Sequence, residues 1–218
     1  MEDYRTLLGQ GTGEYEEKHS RFIGLAQFAD TEEKALAVLN GVRAANRTAR
    51  HNVYAYVLRE GNRTRYSDDG EPAKTAGLPV LEAIRHAGLT DCVVVVTRYF
   101  GGILLGAGGL VRAYTKGAKI AVDAAGKSMK RVWTVLYVPC PYSFYERVRL
   151  EVEGFGGIVR KADFGAEVEL ELLFPEAKTQ EFLDRLTDMT AGTVESMEIG
   201  QEYRAFPVSG KGSDCVDG

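Results

Sequence analysis

Cysteine, histidine and long apolar runs are scarce in this chain of 218 residues. The three cysteines, Cys92, Cys140 and Cys215, form no C-x-x-C pair, and the three histidines lie far apart. This pattern argues against a disulfide framework, a metal site or a bound cofactor, and it favours a reducing, cytoplasmic setting. No apolar run of about 18 residues and no apolar leader occurs, so we expect no membrane span and no export signal.

Excess charge is also small, and it is unevenly spread. The formal net charge of -4 argues against coating nucleic acid by bulk charge, and DNA is not expected as a partner. Residues 1–125 hold 16 Lys and Arg against 15 Asp and Glu, whereas residues 126–218 hold 11 against 16. The shift near Gly126 predicts a domain boundary, with a first domain over residues 1–128 and a second over 129–206. The small and polar residues 207–218 are expected to form a disordered tail.

The most informative stretch of the first domain is Cys92–Tyr114, which predicts a strand, a glycine-rich loop and a helix. Val93–Val96 are four β-branched residues in a row, which is typical of a strand buried on both faces. Five glycines follow within nine residues, and the pattern becomes helical after the last of them: Gly101, Gly102, Gly106, Gly108 and Gly109. A strand, a glycine loop and a helix start in this order can present unpaired backbone N–H groups to an anion.

Arg98 before this loop and Arg112 after it could add bidentate donors for phosphate or carboxylate. The known nucleotide signatures are not met, because Ala107 occupies the lysine position of the Walker A spacing and Val111 a glycine position of the dinucleotide pattern. Glycines that let a helix pack tightly on a strand, with arginines in structural ion pairs, explain the stretch equally well. An anion site and a structural loop therefore both stay open.

A basic stretch precedes this loop, with six arginines and one acid, Glu60, between Gly41 and Tyr66. Within it, HNVYAYVL alternates as a strand, and a turn at Gly61–Asn62 predicts a hairpin to RTRYS. Arginines interleaved with tyrosines on a sheet can follow a phosphate backbone while the rings stack on bases. The alternative is a solvated sheet edge that arginine keeps soluble.

The segment SDDGEP supplies a candidate carboxylate site of Asp68, Asp69 and Glu71. In an extended chain Asp68 and Asp69 point apart, whereas Asp69 and Glu71 could share a face. Such a pair can serve general acid–base chemistry or Mg²⁺, but no third ligand stands beside it at metal spacing. The alternative is an Asp-Gly turn whose acids lean toward the next helix start, near Thr75, or toward nearby arginines.

The second half alternates between strand and helix periodicity from Arg131 onward. Pro141 and Pro175 each stand at a favoured helix start. The resulting order, βαββαβ, is the split βαβ plan, and it predicts a one-sided sheet covered by two helices.

The segments RYSDDGEPAKTAGLPVLEAI and VVVVTRYFGGILLGAGGLVRAY, taken with HNVYAYV, resemble the IMPACT/YigZ family. The resemblance implies an α+β protein: an amino-terminal domain of the ribosomal protein S5 domain 2-like type, then a ferredoxin-like domain similar to the last domain of elongation factor G. It also implies a link to translation, because eukaryotic members regulate the starvation response by competing for an activator of an initiation-factor kinase. Two positions depart from the family: Leu104 replaces a usual lysine, and Lys74 a usual small residue.

We therefore expect a two-domain binding factor linked to translation, which meets RNA or a ribosome-associated protein through the basic side and glycine loop of its first domain. An enzyme acting on a phosphorylated small molecule or nucleotide, with Asp68, Asp69 or Glu71 as base or Mg²⁺ ligand, is one alternative. A module that only binds proteins is the other. The residues expected to bind an anion or nucleic acid are Arg50, His51, Arg63, Arg65, Lys74, Arg98, Gly101, Gly102, Gly106, Gly108, Gly109 and Arg112.

Overall fold

The computed structural model describes residues 1–208, which form ten strands and five α-helices in two compact units. The amino-terminal unit comprises Tyr4–Met129 with the described residues from Phe206, and the carboxy-terminal unit comprises Met1–Asp3 and Lys130–Ala205. Each strand belongs to one of two antiparallel sheets, so the α+β class is confirmed. The last strand reaches Val208, and the rest of the expected tail lies outside the described residues.

The amino-terminal unit is built around a five-stranded sheet with the order β2-β3-β6-β4-β5. A short 3-10 turn at Glu60–Asn62 closes the expected hairpin between β4 and β5. The elements of this part of the chain are β1 (Tyr4–Leu7), β2 (Gly11–Glu17), β3 (Ser20–Phe28), α1 (Glu32–Ala45), β4 (His51–Leu58), β5 (Arg63–Ser67), α2 (Gly77–His86), β6 (Cys92–Tyr99) and α3 (Ala107–Ala125).

The central strand β6 is buried on both faces, as its valines predict. Val94 and Val96 face a core formed with α2 and α3, while Val93 and Val95 face a smaller core beneath α1. This strand ends at Tyr99, so the glycine loop begins at the end of the most deeply buried element of the unit.

Helix α3 begins at Ala107, three residues earlier than the pattern after Gly109 predicts, because Gly106 is the N-cap and the next two glycines are already helical. Glycine lets α3 lie unusually close to the sheet. A Cβ at Gly117 would stand 2.9 Å from Cγ1 of Val96, and one at Gly24 on β3 would overlap the backbone of α3.

Two boundaries differ from the sequence-based expectation. Residues 11–17, to which the sequence patterns assign no element, form the edge strand β2, whose Tyr15 pairs with Phe22 of β3 and stacks on its ring. Helix α2 starts at Gly77 rather than near Thr75, since the carboxylate of Asp68 holds the residues before it in a loop. Pro79 lies in the first turn of α2, where its missing N–H costs little.

The carboxy-terminal part confirms the order βαββαβ, and Pro141 and Pro175 stand at the N-caps of its two helices. Its strands follow the order β7-β9-β8, and β10 pairs with the other side of β7. Leu136, Leu170 and Phe182 lie in the core between sheet and helices. The elements are β7 (Lys127–Cys140), α4 (Tyr142–Gly154), β8 (Ile158–Phe164), β9 (Val168–Pro175), α5 (Glu176–Thr190) and β10 (Met197–Val208).

Candidate functional site

One end of the amino-terminal sheet collects most of the expected site residues. The strand register places Arg21 opposite Tyr99 and His51 opposite Arg98, so β3 and β4 begin where β6 ends. Arg21 and Arg43 are paired there with Glu14 and Asp69, but six further exposed cations around this end have no ion-pair partner within residues 1–208. We call this surface the basic end and define it by Lys18, Arg47, Arg50, Lys74, Arg112 and Lys116 around the loop that starts at Phe100.

Arg98 does not belong to the exposed part of the basic end. It is 5 % exposed, and its Nη1 donates to Oε1 of Glu71 at 2.8 Å while Nη2 donates to the Ser20 hydroxyl at 3.3 Å. Its guanidinium also lies 5.5 Å from the ring centroids of Phe22 and Phe100. Of the two arginines expected to bind an anion, Arg98 is therefore paired with an internal carboxylate, whereas Arg112 has no ion-pair partner within the described residues.

Glu71 is the centre of a buried polar cluster. The same Oε1 that accepts from Arg98 accepts from the Tyr114 hydroxyl at 2.7 Å, and Nε2 of His51 stands 4.0 Å away. Burial, together with the negative charge of Glu71, raises the pKa of Tyr114, so the phenol stays protonated and donates. These contacts hold Oε1 of the carboxylate inside the fold.

Asp68 and Asp69 point to different partners rather than toward a shared ligand. The carboxylate of Asp68 accepts from the backbone N–H groups of Lys74 and Gly77, at 2.8 Å each, and so shapes the loop before α2. That of Asp69 accepts from the N–H of Asn52 at 2.7 Å and from Arg43 at 3.0 Å. Within the described part of the chain, no three His, Cys, Asp or Glu side chains are grouped to hold a metal ion.

The two arginines of β5 share one acidic partner, Glu32. Glu32 accepts from Arg63 at 2.8 Å and lies 3.6 Å from Arg65. It also accepts from the hydroxyl of the buried Tyr56 at 2.5 Å, and this hydrogen bond, with the two arginines, holds the pKa of Glu32 below its ordinary value. The hairpin therefore does not present a free row of arginines and tyrosines.

The fold accounts for four of the five loop glycines. A Cβ at Gly101 would overlap the backbone of His19, and one at Gly109 would stand 2.9 Å from that of Leu105. Gly102 and Gly106 have φ angles of 87° and 71°, which favour glycine. Gly108 has neither restriction, since the nearest atom to an added Cβ is Nη1 of Arg112 at an ordinary 3.6 Å.

The first turn of α3 is open to solvent. Its N-cap, Gly106, offers no side-chain acceptor, and no acid stands in the first turn. The N–H groups of this turn therefore keep the positive end of the helix dipole, and the Arg112 guanidinium folds back beside them. The loop before it exposes Phe100, Ile103 and Leu104.

Lys18, Arg47 and Lys116 were not among the residues that the sequence singles out. For Lys116 a signal exists, because it follows Arg112 by four residues and so shares its helix face. Lys18 lies in the turn between β2 and β3, an element that the sequence analysis did not recognise.

Two family models match this chain. The Impact N-terminal domain covers residues 18–122, and a domain of unknown function, DUF1949, covers residues 138–193. The chain thus has the two-domain arrangement of an Impact domain followed by DUF1949.

The relatives extend the match over most of the chain. The IMPACT family member YvyE of Bacillus subtilis is 32% identical over 91% of this chain and 92% of its own length, and the family member YigZ of Escherichia coli is 36% identical over 84% and 91%. A crystal structure of a hypothetical protein, 34% identical, superposes with a TM-score of 0.59 over 92% of this chain and 98% of that one. The chain belongs to the IMPACT family, in its bacterial two-domain form of the YigZ and YvyE type.

None of the five helices in residues 1–208 is both long and apolar enough to span a membrane.

Proposed function

We propose that this protein is a non-catalytic factor linked to translation, and that its basic end binds RNA. The observation that carries the proposal is the set of exposed cations at one end of the amino-terminal sheet, which have no ion-pair partners in the described residues. Phosphate contacts from such cations supply most of the affinity for nucleic acid. Three acids of the same region, Asp68, Asp69 and Glu71, are held by internal groups. Glu17 is exposed beside Lys18, so the six cations remain in excess of the exposed acid.

The ring of Phe100 adds a second element of RNA recognition. It is 47 % exposed and lies at the centre of the basic end, where β6 leaves the sheet. A base that stacks on an exposed aromatic ring gains about 1–3 kcal/mol. An aromatic ring beside cations is a common arrangement in proteins that bind single-stranded RNA.

The link to translation rests on membership of the IMPACT family and on the role that the sequence resemblance implies. The strand order of the carboxy-terminal unit supports the finer assignment of a ferredoxin-like domain, since β10-β7-β9-β8 is the arrangement of the split βαβ plan. For the amino-terminal unit, the S5 domain 2-like assignment keeps the same basis in the resemblance.

A ribosome-associated protein is the second candidate partner, and the exposed loop favours it. Ile103 and Leu104 are 44 % and 82 % exposed, next to Phe100. Neighbouring apolar side chains that protrude into water commonly mark a protein contact. Their position beside cations fits an acidic protein surface.

Sedimentation with ribosomes distinguishes the two partners. We expect the native protein to co-sediment, and we expect nuclease or raised salt to release it, because phosphate contacts weaken with salt. An Arg47→Gln/Arg50→Gln variant should bind single-stranded RNA at least about tenfold more weakly in fluorescence anisotropy. The matched control is Arg85→Gln/Arg149→Gln, which removes the same charge from residues outside the basic end.

A nuclease-resistant association that is lost in Leu104→Ser and retained in Arg47→Gln/Arg50→Gln would favour the protein partner instead. Absence of both ribosome and RNA binding would refute the proposal.

A further inference from the structure

A cavity of about 230 Å³ opens beside the glycine loop, between the β2–β3 turn and helix α3. Its wall carries three cations, Lys18, Arg112 and Lys116, and one acid, Glu17, so the lining has a net charge of +2. None of these cations has an ion-pair partner within the described residues. Like charges gathered around one small cavity repel each other, and an anion inside it relieves that repulsion.

The floor of the cavity is neutral and fixed. The Tyr15 ring stacks on Phe22 with centroids 5.4 Å apart, and its hydroxyl donates to the Ala113 carbonyl at 2.5 Å. Burial, and then the nearby charge of Glu17, raises the pKa of Tyr15, so the phenol stays protonated. The floor therefore adds no negative charge to oppose an anionic ligand.

The cations are held over this floor by local structure. The Lys116 ammonium lies 4.3 Å from the centroid of the Tyr15 ring. The Arg112 guanidinium folds toward the start of α3, since its Nη1 would lie 3.6 Å from a Cβ at Gly108. Because Gly109 has no Cβ, Leu105 can close against the helix and complete an apolar wall.

We propose that this cavity binds a phosphomonoester, the doubly charged phosphate at the end of a nucleic-acid strand or on a small molecule. A monoester carries about -1.5 to -2 at neutral pH, which matches the +2 of the lining. A carboxylate or a backbone phosphodiester carries one negative charge and leaves the cavity positive. Arg112 offers a bidentate donor pair and the two lysines offer mobile point charges, a combination suited to three phosphate oxygens.

The inference deepens the proposed function, and it rests on that function in so far as the cavity shares Lys18, Arg112 and Lys116 with the basic end. The ligand it specifies is a terminal phosphate, whereas RNA binding by the rest of the basic end needs only backbone phosphates. The two are therefore separable by experiment.

Calorimetric titration with inorganic phosphate and with a nucleoside 5′-monophosphate tests the cavity directly. We expect both to bind, and we expect Lys116→Gln to weaken each by about tenfold. Lys119→Gln is the matched control, because Lys119 is an exposed lysine on the same helix that does not line the cavity. Lys18→Gln provides a second variant on another element, and thermal melting checks that each variant is folded.

Two RNA oligonucleotides of one sequence, one with a 5′-phosphate and one with a 5′-hydroxyl, separate the sources of the phosphate. Tighter binding of the phosphorylated strand, lost in Lys116→Gln, assigns the cavity to strand ends; a response to the monophosphate alone assigns it to small molecules. Equal losses in Lys116→Gln and Lys119→Gln, or no binding of any phosphate, would overturn the inference. Salt-sensitive binding of the 5′-hydroxyl strand without phosphate binding would overturn the inference and leave the proposed function standing. Phosphate binding without RNA binding would instead support the cavity and refute the proposed function.

Discussion

At the scale of single residues, Arg98 and Glu71 form a buried ion pair, whose charges are costly to bury unless both are present. Their side chains are 6% and 5% exposed. We expect Arg98→Met to destabilise the protein by about 3–5 kcal/mol, because it leaves the Glu71 carboxylate buried without its cation. Urea unfolding followed by circular dichroism measures this.

The control for that substitution is the double variant Arg98→Met/Glu71→Leu, which removes both charges and should recover part of the loss. A single variant within about 1 kcal/mol of the parent would show that the pair is not buried as described.

Cys92 supplies a pH dependence at the alkaline side. Burial raises the pKa of its thiol from 9.0 to about 12. Above about pH 9 the thiol ionises in the unfolded protein but stays protonated in the folded one. The free energy of unfolding is therefore unaffected by this thiol below about pH 9, and it declines as pH rises toward 12, by up to about 1.4 kcal/mol per pH unit. We expect Cys92→Ala to show a shallower alkaline decline in unfolding free energy than the parent; an unchanged slope would contradict this origin.

The residues that the sequence could not assign were those defined by distant partners. From its position beside a glycine loop, Arg98 is predicted to donate hydrogen bonds to a bound anion. Its actual partner, Glu71, lies 27 positions away in sequence, so only the folded structure shows that the two side chains meet. Gly108 presents the reverse case, because sequence alone does not distinguish it from four neighbouring glycines that packing or positive φ requires. Local pattern identifies residue type and element, whereas pairing across the fold decides which charges remain available.

At the scale of elements, strong periodicity led to correct assignments and weak periodicity did not. The valines of β6 and the proline-initiated helices α4 and α5 follow directly from sequence. Strand β2 was missed because Gly11 and Gly13 interrupt its alternation, and they do so because α3 passes too close for side chains there. A glycine that close packing requires thus removes the apolar–polar alternation by which its strand would be recognised.

Two glycines of α3 should respond in opposite directions to the same change. Gly117→Ala should destabilise the protein by about 1–3 kcal/mol, because its Cβ would lie 2.9 Å from Val96. Gly108→Ala should stabilise it by about 0.5–1 kcal/mol, since the site is uncrowded and alanine favours the helix. Thermal or urea unfolding compares the two variants. The control is Gly41→Ala, at an uncrowded position inside α1. A loss of stability in Gly108→Ala would contradict the uncrowded environment described for Gly108.

At the scale of the whole molecule, each unit has its own buried core. Trp133 is the only tryptophan of the chain and lies in the carboxy-terminal unit, so its fluorescence reports on that unit. We expect Leu170→Ala, at a fully buried position, to lower the stability seen by Trp133 by about 2–5 kcal/mol.

Leu150→Ala removes the same atoms from a side chain that is 58 % exposed, and it should change that stability by less than about 0.5 kcal/mol. Equal effects of the two substitutions would mean that Leu170 does not pack into this core.

The hydroxyl of Ser20 accepts from both Arg98 and the backbone N–H of Gly101, the latter at 3.2 Å. The exposed loop is thereby clamped at its root, while the amides beyond it face water. In hydrogen–deuterium exchange, Gly101 should retain its proton far longer than Ile103 or Leu104, even though all lie within a few residues of each other. A partner that binds the exposed end of the loop would then slow hydrogen exchange at Ile103 and Leu104 and leave the exchange rate of Gly101 unchanged.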